Sequence, residues 1–199
     1  VCILRSRSIE TFLNKPYTPK TMGLYKYLAS NWRSEGMPKD LKRERLIAWR
    51  REPVTNRISH PTRLDRAKAL GFKPKTGFFI VRQRVSRGSH KRPDWSGGRH
   101  SHNMGSRLIL RKNYQRIAEE RASKVYPNCE VLNSYYVLED GKHYWFEVIM
   151  GDRSHPNVLV SQRGRAFRGL TSAGKHTRGL NKKGKGSEKT RPSRRSHSQ

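Results

Sequence analysis

Two runs rich in β-branched and aromatic residues, Glu130-Val131-Leu132-Asn133-Ser134-Tyr135-Tyr136-Val137-Leu138 and His143-Tyr144-Trp145-Phe146-Glu147-Val148-Ile149, are joined by Glu139-Asp140-Gly141-Lys142. Asp-Gly between such runs predicts a β-hairpin. Just upstream, helical spacing over 109–125 sets Tyr114, Ile117, Ala118, Arg121 and Ala122 against Glu119 and Glu120, and Pro127 ends the run. Earlier still, Phe78-Phe79-Ile80-Val81-Arg82-Gln83-Arg84-Val85 predicts a strand. Phe79, Val81 and Val85 share one face and Ile80, Arg82 and Arg84 the other, so the strand can cover a core while presenting charge. Between Arg87 and Arg107 there is no periodicity; Gly88, Pro93, Gly97, Gly98 and Gly105 alternate with Lys91, Arg92, Arg99, His100 and His102. A basic loop of this length is functional or disordered, and its Trp95 either packs on its own domain or stacks on a base.

The order strand, basic loop, helix, strand, hairpin, strand predicts a small α+β domain with a mostly antiparallel sheet and packed helices. Residues 1–21, with Pro16 and Pro19, read as an N-terminal extension. Residues 22–152 hold a helical segment and the core. The helical segment has three expected helices. Leu24, Tyr25, Tyr27, Leu28 and Trp32 recur over 23–33 before Gly36 and Pro38; Asp40 can cap a second helix carrying Leu41, Leu46, Ile47 and Trp49; Thr62 can cap a third that Gly71 stops. Everything beyond about Gly151 is expected outside the core, with 153–199 as an extended basic arm rich in glycine.

Charge narrows the partner. Lys and Arg number 44 against 15 Asp and Glu, a net +29 on 199 residues, with only 33% hydrophobic content. The 125–152 segment carries five acids and one cation, Lys142, whereas 161–199 carries twelve cations and Glu188 alone. Such a tail repels itself unless a polyanion neutralises it, which favours structured RNA or DNA. No run of eighteen apolar residues is present, and glycines interrupt any apolar face in the tail, so neither a spanning nor an interfacial membrane helix is expected. Cys2 and Cys129 lie far apart without a C-x-x-C pair and read as free thiols.

In the tail, Arg168-Gly169-Leu170-Thr171-Ser172-Ala173-Gly174-Lys175 is echoed ten residues on by Arg178-Gly179-Leu180-Asn181-Lys182-Lys183-Gly184-Lys185. Glycine admits close backbone approach to phosphate and the cations neutralise successive charges; the alternative is a solvated low-complexity tail. The same stretch nearly matches a phosphate-binding loop, but His176 stands where a magnesium-binding hydroxyl is needed. The histidines are dispersed, Glu119 and Glu120 point in different directions, and no Ser lies in a nucleophile elbow, so no catalytic or metal site is expected. The candidate phosphate-contacting residues are Arg43, Arg50, Arg63, Arg66, Lys68, Arg82, Arg84, Arg87, Lys91, Arg92, Arg99, Arg107, Arg111, Lys112, Arg165, Arg168, Gly169, Gly174, Lys175, Arg178, Lys182 and Lys183.

Several segments taken in order resemble the ribosomal protein L15e family: Met22-Gly23-Leu24-Tyr25-Lys26-Tyr27, Arg57 with Pro61-Thr62-Arg63-Leu64-Asp65-Arg66-Ala67, the 71–77 turn, Glu119-Glu120-Arg121-Ala122, Val131-Leu132-Asn133-Ser134-Tyr135, Trp145-Phe146-Glu147-Val148-Ile149 and Arg168 to Lys175. The resemblance covers roughly 22–183. It implies a non-enzymatic large-subunit protein in the cytoplasmic ribosome. Its partners would be large-subunit rRNA and neighbouring ribosomal proteins, with no membrane, cofactor or small-molecule substrate. From the residues alone, a sequence-indifferent chromatin-like protein and a nucleic-acid-processing enzyme stay open.

Overall fold

The computed structural model describes residues 23–181 apart from 35, 94–95, 102–104, 106, 109 and 161. Helices α1 (Leu24–Ser34) and α2 (Lys39–Arg51), strand β1 (Thr55–Ile58) and helix α3 (Leu64–Ala69) lead into β2 (Phe78–Ser86). Two short strands, β3 (His90–Lys91) and β4 (Arg107–Leu108), pair within the basic loop. Helix α4 (Tyr114–Val125) precedes β5 (Cys129–Glu139) and β6 (His143–Asp152), and α5 (Arg165–Arg168) and α6 (Ser172–Thr177) follow.

The main sheet runs β1-β2-β6-β5 with antiparallel pairing throughout. Central β6 is covered on both faces, which is why it reads as a near-continuous apolar run. On one face Trp145 and Ile149 join Ile80 and Tyr135 under Trp49 of α2, Ala67 of α3 and Phe72. On the other, Phe146, Val148 and Met150 meet Val81 and Val85 beneath Ala118 and Ala122 of α4 and Ala166 of α5. The alternation expected for β2 is observed, with Val81 and Val85 in one cluster and Ile80 in the other. Strand β5 shifts register between Val131 and Asn133 and between Tyr136 and Leu138. The second shift sends adjacent Val137 and Leu138 to the same core, which a regular pleat cannot do.

Local chemistry departs from the sequence reading at several points. The hairpin turn does not use a left-handed Gly141, which is absent from the positive-φ residues. Instead the Asp140 carboxylate accepts from the amides of Lys142 and His143, a side-chain substitute for a backbone turn. Asp40 lies inside α2, whose N-cap position is Pro38. Arg63, not Thr62, holds the N-cap position of α3, because the Thr62 hydroxyl is drawn away to Glu147. Helix α4 starts at Tyr114, where Asn113 Oδ1 accepts from Arg116 N at 2.8 Å and fixes the boundary.

The largest difference concerns the chain after the sheet. Residues 164–180, expected as a thread outside the core, fold back onto α4 and β5 as α5 and α6, burying Ala166, Gly169, Thr171, Ala173 and Gly174. Helices of four and six residues are too short to display a period, and their exposed cations hide the small residues that pack inward. The 1–21 extension and Trp95 lie outside the described residues.

Candidate nucleic-acid interface

Exposed cations line several grooves, among them one along α2 and one at the root of the basic loop. On the outer side of α2, Lys39, Lys42, Arg43 and Arg50 surround Leu46 and Ile47. Arg50 is also tied to the turn, its Nε 2.8 Å from Asp140 Oδ2. At the root of the basic loop, Arg87, His90, Arg107, Lys112 and Arg121 rim a groove of about 740 Å³ floored by Leu110, Tyr114 and Ile117. Tyr114 holds the loop root shut, donating to Gly88 O and accepting from Gly88 N. Lys91 and Arg99 are exposed on the same loop and Arg111 between β4 and α4, and Arg92 is half-buried. Arg66 is exposed and Lys68 half-buried on α3.

Several of the predicted cations have partners within the fold, Arg87 and Lys112 of the loop-root groove among them. Arg82 sits 2.6 Å from Glu52 and lies over the Trp49 ring at 4.2 Å. Arg63 pairs with Asp65 and covers Trp32. Arg84 donates to Arg50 O, Arg87 donates to Asp140 O while covering Tyr144, and Lys112 pairs with Glu120. A half-buried guanidinium with a carboxylate and a ring already against it, as at Arg82, is first a packing element. Sequence alone could not tell which cations have partners, because most of those partners, such as Glu52 and Trp49 for Arg82, lie on other elements.

In the tail, Arg165 Nε donates to Val131 O at 3.1 Å and Arg178 donates to Gly169 O at 3.3 Å. Arg168 and Lys175 are exposed, and Lys182 and Lys183 lie outside the described residues. Gly169 and Gly174, expected to let backbone approach phosphate, are instead buried against each other: a Cβ on Gly174 would stand 2.5 Å from Gly169 Cα. Gly169 and Gly179 do adopt the positive φ their place after a helix demands, at +67° and +74°. The near phosphate-loop is thus a helix junction, its first amide groups already facing Thr171.

The carboxylates are largely turned inward. Glu119, fully buried, accepts from the hydroxyls of Ser134 and Thr171. Burial pushes its carboxyl above the usual range, against those two hydrogen bonds and Arg116. Glu147, equally buried, accepts from Thr62 and Tyr135, and burial raises it too, against the Thr62 and Tyr135 hydrogen bonds and the Arg82 charge. Glu130 receives the amides of Gly164 and Arg165, seating the first turn of α5. These roles were missed because none of the three acids carries a sequence mark of its partner, which lies on another part of the chain. Cys129 is a free thiol raised by burial and by Asp152.

A family model described as Ribosomal L15 matches residues 23–197. The chain belongs to the ribosomal L15e family. It is 47% identical over 186 residues to the large ribosomal subunit protein eL15 of Methanocella arvoryzae, covering 87% of this chain and 95% of that relative. The protein of the same name from Thermoplasma volcanium is 46% identical over 187 residues, with the same coverage. In this L15e chain some of the segments that carried the resemblance hold the fold together. Thr62 and Glu147 join α3's entry to the sheet, and Glu119 and Thr171 join α4 to α6.

Proposed function

We propose that this protein is a structural constituent of the large ribosomal subunit that binds and holds packed rRNA helices. The observation that carries the reading is the sorting of charge. Carboxylates such as Glu119, Glu130 and Glu147 are buried, while Lys39, Lys42, Arg43, Arg107, Arg121 and Lys175 face solvent on α2, the basic loop, α4 and α6. Cations on such a surface replace the counterions condensed on phosphates and hold neighbouring RNA helices closer than they could otherwise stand. Binding then follows phosphate positions and RNA shape more than base identity. The role is architectural and needs no catalysis; rRNA and adjacent subunit proteins are its partners, in the cytoplasmic ribosome.

The test is co-sedimentation of tagged protein with large subunits through a high-salt wash. Retention at a fixed stoichiometry is expected. Release at moderate salt, with equal affinity for any duplex, would favour a sequence-indifferent nucleic-acid binder.

A further inference from the structure

Helix α1 buries none of its residues. Tyr25 on it is 45% exposed, and Tyr136 on β5 is 43% exposed. These two rings and Trp32 line a single groove of about 650 Å³, together with Lys26, Arg33 and Arg66. Arg63 adds a fourth cation, its guanidinium 4.7 Å from the centre of the Trp32 ring. One carboxylate, Asp65, balances Arg63 at 3.2 Å, yet Arg63 Nε is buried with no hydrogen-bond partner.

An aromatic wall would suit an apolar protein side chain as well as a base, so the charges decide. Among the described lining residues four cations meet one acid, which selects a ligand that joins a flat ring to negative charge, and that ligand is a nucleotide. A continuous helix cannot offer that face, because its bases are already stacked on one another; only an unpaired nucleotide can. We infer that this groove receives an unstacked nucleobase of bulged or single-stranded RNA against the aromatic wall, with its flanking phosphates on Lys26, Arg33 and Arg66. This rests on the RNA-binding reading above and adds a contact of a different kind from the phosphate lattice.

The test uses the full chain and two RNA hairpins, one fully paired and one with a single 2-aminopurine bulge. The bulged hairpin is expected to bind roughly tenfold tighter, the scale of one base–aromatic stack, with a change in 2-aminopurine emission at saturation. Tyr25→Ala and Tyr136→Ala each lower that preference several-fold and leave paired-hairpin affinity unchanged. Tyr136 also packs edge-on against Tyr144 and Phe146, so a thermal melt accompanies that variant and Tyr25→Ala carries the comparison. Tyr25→Phe keeps it, since the ring and not the hydroxyl is used. Equal affinity for the two hairpins, or alanine variants that retain the preference, overturns the proposal and leaves the RNA-binding reading standing. Failure to bind either hairpin overturns both. A photoreactive phenylalanine at position 25 should cross-link to rRNA in intact subunits; a cross-link to protein instead overturns the proposal.

Discussion

The Thr171 hydroxyl donates to the buried Glu119 carboxylate across 52 positions of chain, and the same oxygen accepts from Gly174 N at 3.1 Å. One side chain therefore caps α6 and fastens it to α4. Thr171→Val keeps the shape but removes both roles. The cap contributes about 1 kcal/mol and an unmatched buried carboxylate costs about 1–3 kcal/mol, so a loss of roughly 2–4 kcal/mol is expected in urea unfolding. Thr171→Ser should recover most of it.

Truncation before residue 162 follows the same logic on a larger scale. It uncovers the side of α4 and β5 against which Ala166 and Ala173 pack and strips Glu119 of one partner. The shortened chain should melt well below the parent, by roughly 8–16 degrees for a domain of this size if about 4 kcal/mol is lost. Equal melting would show that α5 and α6 rest on the core without supporting it.

Gly174→Ala places a methyl 2.5 Å from Gly169 Cα and 2.7 Å from its carbonyl carbon, backbone atoms that cannot swing aside. Overpacking of this kind costs about 1–3 kcal/mol. Gly141→Ala is the control, since nothing lies within 4 Å of its Cβ and its φ is not positive. Thermal melts of the two variants should diverge, with Gly141→Ala close to the parent.

Two carboxylates should give opposite pH signatures. Glu119 is raised by burial in the fold, so its stabilisation is complete below the ordinary value of 4.5 and is lost as pH rises through the folded value. Glu119→Gln should therefore gain on the parent as pH increases, in paired melts from acid to neutral. Asp140 is also pushed up by burial, but Arg50 and the Lys142 and His143 amides outweigh that and hold it at about 2. Its stabilisation is present above the ordinary 3.8 and is lost as pH falls through about 2. Asp140→Ala should accordingly destabilise the hairpin at neutral pH and converge on the parent in strong acid.

Binding of the isolated protein to rRNA should weaken steeply with salt. If about eight phosphates are neutralised, log K against log[salt] has a slope of roughly −6 to −7. A slope near zero would remove the electrostatic basis of the proposed function.

What could be read without coordinates follows from how local each signal is. The β5–β6 hairpin and the two faces of β2 were legible because period-two alternation and a turn dipeptide are written in adjacent residues. Strand β1, only Thr55-Asn56-Arg57-Ile58, shows no such alternation and is a strand because Val81 and Arg82 offer it an edge. The tail was misread because its charges dominate its composition, while its packing depends on small buried residues such as Ala166 and Gly174 and on one hydroxyl. For the interface, the basic segments were legible as a class. Which guanidinium faces solvent was not, since Arg43 and Arg82 look alike until Glu52 and Trp49 are found beside the second.

The inward placement of the carboxylates changes what the protein is before it meets RNA. Among the described acids only Asp40 and Glu44 are exposed, so the folded surface is more uniformly cationic than the amino-acid count conveys. Folding thus buries Glu119, Glu130 and Glu147 and fixes Glu52, Asp65, Glu120 and Asp140 in ion pairs with Arg82, Arg63, Lys112 and Arg50. These acids can no longer move among the other cations, whose mutual repulsion rises. A polyanion relieves that repulsion in the folded state more than in the open chain, where the acids are still available as internal counterions. By linkage, any such polyanion acts as a folding ligand, and the protein reaches its full stability only once assembled.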